Sequence, residues 1–133
     1  MKTGFAQVSI NEGIDFVMGG MFLEYTCQKV HTPLFATSAA FEHEKEKVIW
    51  VSCDLGSMTN ENFTRARNLV STRTGVPVDN ILLSLTHTHT GPTMANTSIY
   101  STLDSSGYKT EIIERIAQAC EQAWDNREEV SMG

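Results

Sequence analysis

The sequence predicts an α/β domain: a mixed, mainly parallel sheet with a βαβ unit and flanking helices, preceded by an N-terminal antiparallel hairpin. Three observations predict it. Two apolar runs, Val48-Ile49-Trp50-Val51-Ser52-Cys53 and Ile81-Leu82-Leu83-Ser84-Leu85, have the length and β-branched content of buried strands. Between them Phe63, Ala66 and Val70 recur at helical spacing, so strand, helix and strand follow one another as a crossover unit. Ahead of the first run, the charged tract Glu42-His43-Glu44-Lys45-Glu46-Lys47 separates it from another strand-like segment, as the turn of a hairpin does.

Taken in order, Phe5 to Ile10 alternates well enough for a first strand. Residues 11 to 33 are rich in Gly, Met and aromatics without a period, which predicts an irregular surface loop. Leu34 to Glu42 and Val48 to Cys53 form the hairpin. The first helix runs from Asn60 to Thr74, with Thr59 or Asn60 able to cap its start and Gly75 its end. Val76-Pro77-Val78-Asp79-Asn80 then turns the chain into the strand Ile81–Leu85. Thr93 to Gly107 reads as a polar loop. Tyr108 to Asn126 reads as a second helix with Ile112, Ile116, Cys120 and Ala123 on one face, and Val130-Ser131-Met132 as the start of a further strand.

A length of 133 residues fits a single domain, residues 1–133, large enough to bury a core. The net charge of −6 and scattered basic residues argue against a nucleic-acid or anionic-membrane binder. No apolar stretch approaches the roughly 18 residues that span a bilayer, and the N-terminus carries no long apolar leader core. Cys27, Cys53 and Cys120 are odd in number and lack metal-type spacing, which reads as reduced, apolar cysteines. A cytoplasmic protein is expected, and assembly into a homo-oligomer stays open.

The chemistry concentrates in His87-Thr88-His89-Thr90-Gly91-Pro92. Two of the four histidines fall within three residues, just beyond a strand end. Neutral imidazole is a common zinc ligand, and in an extended segment residues i and i+2 share a face. Both rings could reach one metal, or one could bind metal while the other contacts substrate. The plainer alternative is a pair of loop histidines bonded to backbone. Thr86, Thr88 and Thr90 could orient the rings or simply suit an extended chain. Gly91 could admit a ligand close to the backbone or supply a turn with positive φ.

Asp54 ends the preceding strand and should open onto the same carboxyl edge, where α/β sheets place their ligand crevices. Asp54, His87 and His89 can therefore converge, with Asp54 as a ligand, an orienter or a loop cap. His31, before Thr32-Pro33-Leu34, reads as a surface residue, and His43 lies in the charged turn. Met18, Gly19, Gly20, Met21 and Phe22 form an apolar segment that either lines an acyl-chain pocket or folds over the core. The metallo-β-lactamase pattern H-x-H-x-D-H is excluded by Gly91-Pro92.

Leu83-Ser84-Leu85-Thr86-His87-Thr88-His89-Thr90-Gly91-Pro92 resembles the S-x-T-H-T-H-S-G-P segment of the neutral/alkaline, non-lysosomal ceramidase family. Gly4–Ile10 resembles the opening strand of that family, and Val30-His31-Thr32-Pro33-Leu34-Phe35-Ala36 its H-D-P-L-Y-A segment. Val48–Leu55 resembles its V-V-x-V-S-x-D-L strand, and Gly75–Ile81 its G-I-P-x-x-N-V approach to the histidines. The chain departs from the pattern at Asn11-Glu12, Ser38 and Thr93-Met94.

The resemblance implies the N-terminal part of a zinc-dependent hydrolase that cleaves the N-acyl bond of a lipid amide such as the sphingolipid ceramide. It implies Zn2+ as cofactor, His87 as a metal ligand and His89 as an active-site neighbour. Asp54 joins His89 as a candidate catalytic residue, and His31, Thr88 and Gly91 are candidate substrate or supporting contacts. The remaining ligands of the family, a His, a Glu and a Tyr, come from well downstream of this segment. A chain of this extent alone is expected to be weakly active or inactive. The alternative is a non-catalytic remnant that binds a ligand or partner through the same edge.

Overall fold

The computed structural model describes residues 1–19, 25–95 and 105–131. In chain order these form β1 (Lys2–Ser9), β2 (Phe35–His43), β3 (Glu46–Cys53), α1 (Asn60–Thr74), β4 (Ile81–Leu85), α2 (Ser105–Asp125) and β5 (Glu128–Glu129). A single turn of 3-10 helix, Val78–Asn80, leads into β4. The strands make one sheet in the order β4-β3-β2-β1-β5.

The sheet is mixed, but the expected parallel majority is corrected: β1–β2, β2–β3 and β1–β5 are antiparallel, and β3–β4 is the parallel pair. Connection chemistry explains this. A parallel neighbour needs a crossover of about a dozen residues or more, usually helical, and among the described residues only the 54–80 segment joins two neighbouring strands that way. The charged tract instead makes a tight hairpin, with Glu44 at φ 54°, and pairs His43 with Glu46. The strand expected at Val130–Met132 lies slightly earlier, at Glu128–Glu129, and pairs with Lys2 and Thr3 at the far margin; Met132 lies outside the described residues.

Both helices form as their sequences dictate. Thr59 Oγ1 accepts from the Asn62 N–H at 3.2 Å, and Gly75 closes α1 in the left-handed region at φ 69°. In α2 the stripe Ile112, Ile116, Cys120 and Ala123 is buried against the sheet residues Ala36, Ala40, Ile49, Val51 and Cys53. Val70 and Ala66 of α1 extend that core towards β4. The core thus lies between one face of the sheet and the helices. At the β4 margin, Arg67 of α1 donates to the carbonyls of Ile81 (3.0 Å) and Val78.

The segment after β1 is irregular, and exposed or half-buried over residues 25–33, as its composition predicts, but its first part is not all at the surface. Ile10, Asn11, Phe16 and Val17 are buried. Asn11 explains part of this: its Oδ1 accepts from the Leu34 N–H at 2.7 Å and its Nδ2 donates to Thr32 O at 3.5 Å, fastening the loop to the entry of β2. Arg115 of α2 fastens the other side, donating to Glu12 O at 2.7 Å and Ser9 O at 3.4 Å.

Candidate functional site

The histidine motif lies where β4 ends, and the end of β3 dictates its shape. Thr86 N–H donates to Cys53 O at 3.0 Å and His87 N–H to Leu55 O at 3.1 Å, so the chain beyond β4 stays tied to the chain beyond β3. His87 then turns into the left-handed region, φ 61°, which a non-glycine residue adopts at a cost of about 1–2 kcal/mol. That turn brings Nδ1 of His87 to 2.7 Å from Gly56 O. A carbonyl only accepts, so Nδ1 carries the proton and Nε2 keeps its lone pair in the neutral ring. An imidazole held this way is oriented as metal-ligating imidazoles are.

Gly56 is the residue that sequence reasoning missed. A Cβ there would sit 2.9 Å from Thr88 O, so only glycine lets the two strand extensions approach this closely. The Asp-Leu-Gly that follows β3 is an ordinary turn signal, and nothing in it announces a partner 31 positions away.

His89 is brought to His87. Their ring centroids are 5.0 Å apart with planes at 80°, an edge-to-face pair, and both side chains are exposed. Asp54 closes β3 but bonds elsewhere: its Oδ2 accepts from the Phe35 N–H at 3.0 Å, while its own N–H donates to Phe35 O at 2.9 Å. This reciprocal pair clamps the end of β3 to the start of β2. Thr88 packs its methyl towards Gly91, and Gly91 is tight for packing reasons: a Cβ would meet Leu34 Cδ1 at 2.7 Å and Thr88 Cγ2 at 2.9 Å. Among the described residues the glycines with positive φ are Gly13 and Gly75, so the turn at Gly91 does not need one.

Residues 91–94, which follow the motif in the chain, form a buried floor stitched from two sides. Gly19 N–H donates to Gly91 O and Thr93 N–H to Val17 O, at 2.9 and 3.0 Å. Met94 N–H donates to Ser57 O at 3.0 Å, and Asn62 Nδ2 of α1 donates to Met94 O at 3.0 Å. Tyr108 Oη of α2 donates to Thr93 O at 3.0 Å, and Lys109 Nζ to Ala95 O at 2.7 Å; burial lowers the pKa of this lysine.

His31 is exposed and lies against a cavity of about 280 Å3 that also reaches Thr90, Phe16, Met18, Cys27 and Leu34. The candidate acyl segment is thus partly placed: Met18 lines this cavity and Gly19 is strapped to Gly91, while Gly20, Met21 and Phe22 lie outside the described residues. His43 is exposed at the hairpin, remote in the fold from the motif.

Zinc in catalytic sites usually takes three protein ligands and a water. Among the described residues no group of three His, Cys, Asp or Glu side chains is disposed to hold a metal ion. His87 fits as one ligand, but the donor set here does not make a whole zinc site. Cys53 and Cys120 belong to the core, whereas Cys27 is half-buried beside the cavity. Burial pushes the Cys53 and Cys120 thiols up, Cys120 to about 12. All three cysteines are free thiols.

Among the described residues no helix is long and apolar enough to cross a membrane. No family model matches the sequence, and no curated protein matches it. Solved structures do. Neutral ceramidase from Pseudomonas aeruginosa matches with a TM-score of 0.77 at 22% identity, over 95% of this chain and 22% of that one. A ceramidase complexed with C2 matches with a TM-score of 0.76 at 22% identity, over 95% of this chain and 21% of the other. The chain spans about a fifth of the length of the solved proteins that it matches. At this identity the likeness is one of fold, and it bears out the expected resemblance at that level: this chain is folded as the N-terminal part of a neutral ceramidase is.

Proposed function

We propose that this chain is the N-terminal portion of a zinc-dependent amide hydrolase of the neutral ceramidase kind, acting on an N-acyl bond of a lipid amide. The observation that carries the reading is the His87–Gly56 hydrogen bond, which leaves Nε2 of His87 as a free donor of electrons at the carboxyl edge of the sheet. In this reading His87 supplies one zinc ligand, and the others come from outside the described residues. A zinc ion so held supplies Lewis-acid polarisation of the amide carbonyl and a water acidified towards neutrality.

The other residues of the edge take supporting parts. His89, edge-on to His87, hydrogen-bonds the substrate or the oxygen on which charge develops. Asp54 is a positioning residue: its clamp on Phe35 fixes where β3 ends and hence where Gly56 lies. The cavity beside His31 and Thr90 receives the apolar part of the substrate. With an incomplete donor set the chain by itself hydrolyses N-acyl amides weakly or not at all.

Equilibrium dialysis against zinc tests the ligand assignment, with the wild-type chain beside His87→Ala and His43→Ala. Zinc uptake that falls in His87→Ala alone supports it, and uptake unaffected by that substitution overturns it. The absence of three clustered ligand-type residues among those described favours a second reading, a non-catalytic domain that binds an apolar ligand in the same cavity. That reading is supported instead if a fluorescent fatty amide binds equally well with and without zinc.

A further inference from the structure

The cavity of about 280 Å3 that reaches Thr90 of the histidine motif is built as a cup, apolar inside and polar at the lip. Phe16 is buried in its floor, with Met18, Cys27, Val30 and Leu34 half-buried around it. The lining residues that are exposed are all polar: Lys29, His31, Thr32 and Thr90. The wall that carries Lys29 and His31 is fastened at both ends. Cys27 N–H donates to Phe16 O at 2.9 Å before it, and Ile10 N–H donates to Leu34 O at 2.8 Å after it. Asn11, which also lines the cavity, spends both groups of its amide on Thr32 and Leu34. The cup is therefore preformed rather than assembled around a ligand.

The lip carries positive charge and nothing negative. The chain has 16 acidic and 10 basic residues, yet no Asp or Glu lines this cavity. Two other cavities hold a cation, and each sets it among carboxylates: Arg67 with Asp79, and Arg115 with Asp15 and Glu111. Both arginines also form ion pairs. Among the described residues no ion pair or hydrogen bond engages the side chains of Lys29, His31, Thr32 or Thr90. An ammonium, two hydroxyls and an imidazole N–H thus remain as donors around an apolar floor.

We propose that this cup binds an amphiphile with an anionic head, its apolar body on Phe16 and its negative group held by Lys29 at the lip. A carboxylate or phosphate oxygen there takes a charge-assisted bond from Lys29 and further bonds from the neutral donors beside it. The volume, close to the roughly 300 Å3 from which ligand pockets start, suits a chain of medium length. Thr90 follows His89 directly, so the lip adjoins the proposed catalytic edge. Resting on the hydrolase reading given above, this makes the substrate an N-acyl amide whose cavity-bound part carries a negative charge.

Titration calorimetry of the full chain at low ionic strength tests this, with decanoate, decyl phosphate and the uncharged decanamide as probes. The expected result is that one or both anions bind at least about fivefold more tightly than decanamide. The tighter of the two anions tells a carboxylate head from a phosphate head. Lys29→Gln should erase the preference and Lys29→Glu reverse it, while Lys45→Gln in the hairpin turn leaves it intact. Circular dichroism establishes that each variant is folded; if one Lys29 variant is not, the other decides. Decanamide binding as tightly as both anions overturns the proposal, as does a preference that survives in the folded Lys29 variants. So does a wild-type chain that binds none of the probes up to about 1 mM. A chelator is present throughout, so the outcome is independent of zinc: failure here leaves the His87 assignment standing, and failed zinc uptake leaves this result standing.

Discussion

Nδ1 of His87 lies 2.7 Å from the carbonyl oxygen of Gly56, across 31 positions of sequence. The bond joins the extension of β4 to the extension of β3, the parallel pair of the sheet. It settles which ring nitrogen of His87 faces outward, and therefore what the motif can offer a metal.

Histidine ring NMR should show His87 as the Nδ1–H tautomer at neutral pH. In Gly56→Ala the new Cβ, placed 2.9 Å from Thr88 O, forces the two extensions apart. We expect a mixture of tautomers in that variant and a loss of about 1–3 kcal/mol in urea unfolding. A variant that keeps both the single tautomer and wild-type stability would show that the close approach does not orient the ring.

The left-handed backbone at His87 separates stability from site chemistry. His87→Asn eases the left-handed backbone by about 0.5–1 kcal/mol but loses the ring bond to Gly56 at a similar cost, and is expected to lie close to wild type. His87→Ala keeps the strain and loses the bond to Gly56, and is expected to cost about 1 kcal/mol. Urea midpoints should rank both wild type and Asn above Ala.

Thr59 caps α1 through the Asn62 N–H, and the side chain of Asn62 holds Met94 O in the floor of the site. Thr59→Ala should cost about 1 kcal/mol, with Thr59→Ser close to wild type. Hydrogen exchange should then speed up at Thr59 and Met94 as well as in the first turn of α1. Faster exchange confined to the helix would mean that the cap and the floor are not coupled.

The buried thiols make stability fall in alkali. Burial raises the Cys120 pKa from 9.0 to about 12 and raises that of Cys53 as well. Folded thiols therefore keep protons that unfolded thiols release above pH 9. The stabilisation is complete below pH 9 and declines as pH climbs towards 12, by up to about 1.4 kcal/mol per pH unit per thiol. Cys120→Ala should flatten that decline. Thiol titration of the folded chain at pH 8 should find Cys27 the fastest to react.

Elements with a strong local pattern were legible in the sequence. The bounds of α1 and β4 follow from Phe63, Ala66 and Val70, from Thr59 and Gly75, and from the run Ile81–Leu85. The pairing of strands was less so. The 48–85 region reads as a parallel unit and is one, but β1 carries nothing local to say that it lies antiparallel beside β2 across a long connection. Residues 11–19 misled because Asn11 bonds to Thr32 and Leu34, and Arg115 to Ser9 and Glu12, contacts between positions far apart in sequence that leave no period. At the site, His87 and His89 were legible as a pair; the Gly56 carbonyl was not, because any residue has one.

The two margins of the sheet are unlike. At one, β5 is only the dipeptide Glu128-Glu129, and its short length and like charges discourage any further strand. At the other, β4 is guarded by Arg67 only at its beginning, where the guanidinium takes the carbonyls of Val78 and Ile81. Beyond Leu82 no described strand lies outside β4. Any strand added to this sheet would therefore find its template next to His87, turning a border residue into an interior one.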